Sequence, residues 1–181
     1  MQFTAALISL IAALGVSAVP VAPLPLGVPT PAIHIVDVGK DGLTYTPPYI
    51  TANVGDVVEM RFFAKNHTLV QSSFQDPCTP LAGGIFAGFH PSNITAQTTG
   101  LVTFTTIAFP VETTSPLWFY CAQANHCQSG MTFAINPPAG SVAIFDKVAA
   151  TKAENIAPPG GPVGVLVRTE EVFIPSSSWT K

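Results

Sequence analysis

The sequence predicts an all-β sandwich carrying one short helix towards its C-terminal end. Short segments rich in β-branched and aromatic residues recur between turn signals. Between Leu101 and Ile107, the set Val102, Phe104, Thr106 alternates with Leu101, Thr103, Thr105. From Ser141, Val142, Phe145, Val148 and Ala149 share one helical face.

In chain order, Ile33 to Val38 reads as a strand that stops at Gly39, and Val57 to Phe63 as a second strand after the turn Asn53-Val54-Gly55-Asp56. Leu101 to Ile107 is a third, and Leu117 to Cys121 and Met131 to Ile135 complete the set. Short strands spaced by turns build sandwiches. Ser141 is expected to cap the helix, which should pack on the sandwich before Pro158-Pro159-Gly160-Gly161 breaks the chain.

The chain has 181 residues, 9% charged and 48% hydrophobic, which fits one domain with Pro-rich flanks. A net charge of −3 with no basic run sets nucleic-acid binding aside. Thr4 to Val16 is almost wholly apolar, and Val16-Ser17-Ala18 supplies the small residues that signal peptidase accepts. The expected organisation is a signal peptide over 1–18, a Pro-rich linker or pro-segment over 19–31, the domain over 32–140, and a C-terminal extension with the helix over 141–181. The polar stretch Pro175 to Lys181 lacks the hydrophobic tail of a lipid-anchor signal. The expectation is a secreted, extracellular monomer, free of the membrane once the signal is cleaved. Two sequons begin at Asn66 and Asn93. Asn93 is the expected glycosylation site, because Asn66 adjoins a candidate metal ligand.

Three cysteines, Cys78, Cys121 and Cys127, are an odd number for a secreted chain. A thiolate bound to a metal is protected from oxidation, so metal binding accounts for the one left over. Cys121, His126 and Met131 form Cys-x4-His-x4-Met between two predicted strands. A trigonal His2Cys copper site with a long axial Met needs one more imidazole, and His67, after the strand Val57 to Phe63, can supply it. Cys78 would then pair with Cys127, adjacent to His126. The alternative, Cys121 paired with Cys127 or Cys78, gives a structural disulfide and no copper; mass mapping distinguishes the two.

At these residues the chain resembles the cupredoxin family, most of all the phytocyanin-type and fungal extracellular cupredoxin-like proteins. The resemblance covers about residues 33 to 137 and includes the Asn53–Asp56 turn, Lys65 to Ser72 with Asp76-Pro77-Cys78, and the block Cys121, His126, Cys127, Met131. It implies a Greek-key β-sandwich holding one type 1 copper, with His67 and His126 as imidazole ligands, Cys121 as thiolate and Met131 as axial thioether. It also implies shuttling of single electrons, through the edge of His126, to a redox partner the sequence does not identify. In many relatives the residue after the first His is Asn, whereas here Asn66 precedes it and Thr68 follows.

His34 and His90 are lone histidines, read as surface or hydrogen-bonded residues. The loop Leu81 to Phe89 reads either as an apolar rim above the metal or as a surface connection. No carboxylate pair, Ser-His-Asp order or phosphate loop stands out, so an electron carrier is expected rather than a catalyst. A multicopper oxidase would need His-x-His pairs and several domains, and an oxidative polysaccharide-cleaving enzyme a His at the mature N-terminus. The second hypothesis is an extracellular copper-binding or structural module without redox turnover.

Overall fold

A computed structural model describes residues 30–95 and 98–175. The expected signal peptide and all but the end of the linker lie outside the described residues. The unit from Pro31 onward is described by itself.

Its strands are β1 (Ile33–Val38), β2 (Tyr45–Thr46), β3 (Tyr49–Ile50), β4 (Val57–Phe62), β5 (Lys65–His67), β6 (Val70–Ser72), β7 (His90–Ser92), β8 (Gly100–Pro110), β9 (Leu117–Tyr120), β10 (Thr132–Ile135) and β11 (Leu166–Ile174), with the helix α1 (Ser141–Ala149) between the last two. One sheet has the order β11-β8-β4-β1-β2, a second has β3-β10-β9-β6, and β5 pairs with β7 alone. In the first sheet β1 runs parallel to β4, with Ile33 opposite Val57. β8 runs antiparallel to both β4 and β11. In the second, β9 lies antiparallel between β6 and β10. The five strands read from the sequence are present, and the architecture is the expected all-β sandwich.

The main core is filled by inward side chains of both sheets: Val36, Val38, Met60, Phe62, Ile107 and Phe109 meet Phe119, Phe133 and Ile135. Fully burying each such aromatic stabilises by about 1.5–3 kcal/mol. The Asn53–Asp56 turn is tied to the start of β1, because the Asp56 carboxylate accepts the N–H of Ala32 and of Asn53, both at 2.9 Å, and pairs with His34.

α1 lies outside the main core, with Phe145 packed on Trp118 and Ala134. Its predicted face is the buried one, but the predicted cap is not. Gly140, at φ 78°, is the N-cap; Ser141 is the first helical residue and its hydroxyl donates to the carbonyl of Pro138 at 2.5 Å. With its own oxygen turned back to the preceding loop, Ser141 is not placed to receive the helix N–H groups. Beyond the helix, the 141–181 extension also supplies a strand. β11 pairs with β8 over nine positions, from Leu166 opposite Ala108 to Ile174 opposite Gly100, and forms the edge of the first sheet. The Leu81–Phe89 loop is a connection bonded along β6: Gln71 donates its N–H to Ile85 and accepts that of Leu81.

Candidate metal centre

β9 and β10 form an antiparallel pair in which Tyr120 faces Thr132, and the eleven residues joining them carry three of the four predicted ligands. Cys121 follows β9 directly and Met131 precedes β10 directly. The loop is closed by its own backbone. The Cys121 N–H donates to Met131 O (3.1 Å), the Met131 N–H to His126 O (2.9 Å) and the His126 N–H to Gln123 O (2.9 Å). Met131 is thus joined through the main chain to both other ligand residues, and its side chain is fully buried in the main core beside Cys121.

His67 comes from the end of β5 and is buried. Its Nε2 lies 3.1 Å from the carbonyl of Ala64; only a protonated Nε2 satisfies that acceptor, which leaves the Nδ1 lone pair free. Nδ1 lies 4.0 Å from Cys121 Sγ, and His126 Nδ1 lies 3.3 Å from the same sulfur. Ligand atoms of His67, Cys121 and His126 all fall within 4.8 Å of one another, the one such group of three or more among the described residues. Donors about 2.0–2.3 Å from a common ion in a trigonal plane stand roughly 3.5–4 Å apart, so the three fit one metal ion with little movement. One thiolate, two imidazoles and a buried thioether nearby are the donor set of a type 1 copper site, whereas structural zinc takes four Cys or His ligands.

Burial lowers the pKa of His67 and His126 from the usual histidine value, reinforced for both by the charge of Lys65, so both rings are neutral and able to ligate at physiological pH. Burial raises that of Cys121, which the N–H groups of Gln123 and Thr68 partly offset. Cys121 is the unpaired cysteine; Cys78 and Cys127 form a disulfide. That pairing leaves the thiol of Cys121 free to ligate, and joins the loop after β6 to the residue following His126.

Thr68 performs the bridging that the sequence left open. Its backbone N–H points at Cys121 Sγ at 3.4 Å, its hydroxyl accepts the Ala122 N–H at 2.9 Å, and its carbonyl receives the Tyr45 hydroxyl. Asn66, the residue before the ligand, instead donates from Nδ2 to Gln123 Oε1 at 3.0 Å. The two segments are therefore joined by three hydrogen bonds. Gly39, at φ 80°, sits against the His67 ring, and Asn155 Nδ2 donates to the carbonyls of Cys121 and Ala124. Thr68, Gly39 and Asn155 had no motif to betray these roles; the turn signal at Gly39 was the one visible trace. His34 and His90 stand apart from the cluster. His34 pairs with Asp56, and His90 bonds the Ala87 carbonyl at 2.8 Å and lies tilted against the Phe62 ring.

No family model matches the chain. Two curated proteins of Arthroderma benhamiae are similar to it. "Probable GPI-anchored cupredoxin-1" is 27% identical over 128 residues, 70% of this chain and 63% of that protein. "Extracellular serine-rich protein" is 36% identical over 104 residues, 57% of this chain and 38% of that protein. The chain spans less than two thirds of the length of either. Among solved structures, pseudoazurin from Hyphomicrobium denitrificans matches at 23% identity and TM-score 0.38, covering 57% of this chain and 73% of that one. Auracyanin A from Chloroflexus aurantiacus, a blue copper protein, matches at 12% identity and TM-score 0.41, covering 59% and 98%. The chain is thus similar in sequence to a cupredoxin, and two imidazole nitrogens converge on its one unpaired cysteine, a donor arrangement of the cupredoxin kind.

Proposed function

We propose that the protein is a secreted type 1 blue-copper protein that binds one copper through His67, Cys121 and His126, with Met131 as axial ligand, and transfers single electrons. The convergence of His67 Nδ1, Cys121 Sγ and His126 Nδ1 carries the reading. Copper supplies a one-electron couple, and sulfur with two imidazoles is acceptable to both oxidation states. The chain supplies fixed geometry. His67 is held by Ala64, Cys121 by Thr68 and Gln123, and His126 by its bonded loop. Of the four residues, His67, Cys121 and Met131 are buried while His126 is half-buried. The His126 edge is therefore the ligand surface open to a redox partner, and the buried remainder keeps water and substrates from the metal.

Secretion draws support from the names of the two relatives, one GPI-anchored and one extracellular. No described helix is long and apolar enough to cross a membrane. Glycosylation at Asn93 is supported by its exposure beyond β7, whereas Asn66 is half-buried and hydrogen-bonded. The partner is a protein or small molecule of suitable potential, met by a monomer.

The test is the absorption spectrum and voltammetry of the copper-loaded protein. An intense visible thiolate-to-Cu(II) band is expected, lost in Cys121→Ser and kept in Met131→Gln. The latter should have a lower potential, because an oxygen donor favours Cu(II). Copper that binds without this band, or that a small one-electron donor cannot reversibly reduce, would overturn the electron-carrier reading in favour of a copper-binding or structural module.

A further inference from the structure

After α1 the chain turns back across the metal loop and is anchored there at several points. Lys152 pairs with Asp76. The Ile156 N–H donates to the Cys78 carbonyl at 2.9 Å, and the Tyr120 hydroxyl donates to the Ile156 carbonyl at 2.5 Å. Between these anchors, Asn155 Nδ2 donates to Cys121 O at 3.0 Å and to Ala124 O at 2.8 Å.

The consequence lies in the peptide that links Cys121 to Ala122. Its N–H is taken by Thr68 Oγ1 and its C=O by Asn155 Nδ2, so it is gripped on both edges. Rotation of that peptide would swing the Cα–Cβ bond of Cys121, and with it Sγ. The second carbonyl that Asn155 holds belongs to Ala124, at φ 44°, two residues before His126. The amide has one workable orientation: turned over, it would set its oxygen against both carbonyls. In the orientation present, Asn155 Oδ1 is buried with no hydrogen-bond partner among the described residues. Such a cost is retained where the donated bonds matter.

We propose that Asn155 is a positioning residue for the metal ligands Cys121 and His126, acting from outside the region of family resemblance through the backbone of their loop. The assignment rests on the copper reading above. Asn155→Leu removes both donors at similar volume, and Lys152→Ala removes an anchor of the same segment without touching the ligand loop. Two readouts are compared: the charge-transfer band and reduction potential of the copper-loaded protein, and amide hydrogen exchange at Gln123 to His126 in the metal-free protein.

Asn155→Leu is expected to shift the band and the potential, and to speed exchange in the loop roughly tenfold, as loss of about one net hydrogen bond implies. Lys152→Ala is expected to lower the melting temperature while leaving band, potential and loop exchange as in the wild type. Wild-type values in Asn155→Leu would overturn the proposal, as would an equal shift in Lys152→Ala. Should Asn155→Leu not fold, Asn155→Ser is read in the same way. A wild-type protein without the band would sink the copper reading itself, while the exchange measurement on metal-free protein would still decide the role of Asn155.

Discussion

Gly39 and His67 are in contact so close that no side chain fits between them: a Cβ at position 39 would lie 2.6 Å from His67 Cδ2 and closer still to Nε2. The glycine also has φ 80°, where other residues are strained. Gly39→Ala should therefore push the His67 ring off its bond to Ala64. The expected result is loss of the intense copper band or a large fall in copper affinity, with the sandwich intact by circular dichroism. An unchanged spectrum and affinity would refute the link between this turn and the ligand.

Thr68 is fully buried, and its hydroxyl is the partner of the Ala122 N–H. Thr68→Val preserves the shape and the backbone N–H aimed at Cys121 Sγ but strands a buried donor, at a cost of about 1–3 kcal/mol. Chemical denaturation of the metal-free protein should show this loss. The copper-loaded variant should keep its band with a shifted potential.

The Cys78–Cys127 disulfide closes a loop of sequence separation 49. In the chain-entropy model that contributes about 4 kcal/mol. The double variant Cys78→Ala, Cys127→Ala should lose stability of this order in urea titrations. Because Cys127 adjoins His126, copper should also dissociate faster, which stopped-flow transfer to a chelator would measure.

Hydrogen bonds from His34, Ala32 and Asn53 hold the Asp56 carboxyl at about 2, below its value in an unfolded chain of about 3.9. A depressed folded pKa contributes stability that is fully present above the unfolded value and disappears as pH falls towards the folded one. Wild-type urea midpoints should thus fall between about pH 4 and pH 2. Asp56→Asn should start lower and vary less across that window. Parallel curves for the two proteins would exclude Asp56 as a source of the acid sensitivity.

What could be read in the sequence was what repeats locally. β1, β4, β8, β9 and β10 carry β-branched, aromatic or alternating residues over four or more positions. β2, β3, β5, β6 and β7 have two or three residues each, too few for a period to show. β11 is long enough but covers little core: Leu166, Val167 and Phe173 are exposed, so its apolar residues mark no single buried face. At the metal centre, Cys121, His126 and Met131 were legible because one hairpin loop holds them at regular spacing. Thr68 and Asn155 act on that loop from 54 and 34 residues away, through contacts that exist only once the sheets and the C-terminal segment have packed.

β8 is eleven residues long, and β11 occupies its outer hydrogen-bonding side for nine of them. A strand of that length left bare would template pairing with other chains. β11 takes over the border and presents Arg168, Glu170 and Glu171 along it, charges that discourage a further strand from adding. The last strand thus serves solubility more than it serves the core. A version of the protein ending before Leu166 would keep every proposed metal ligand, yet it would hand its neighbours a ready site for aggregation.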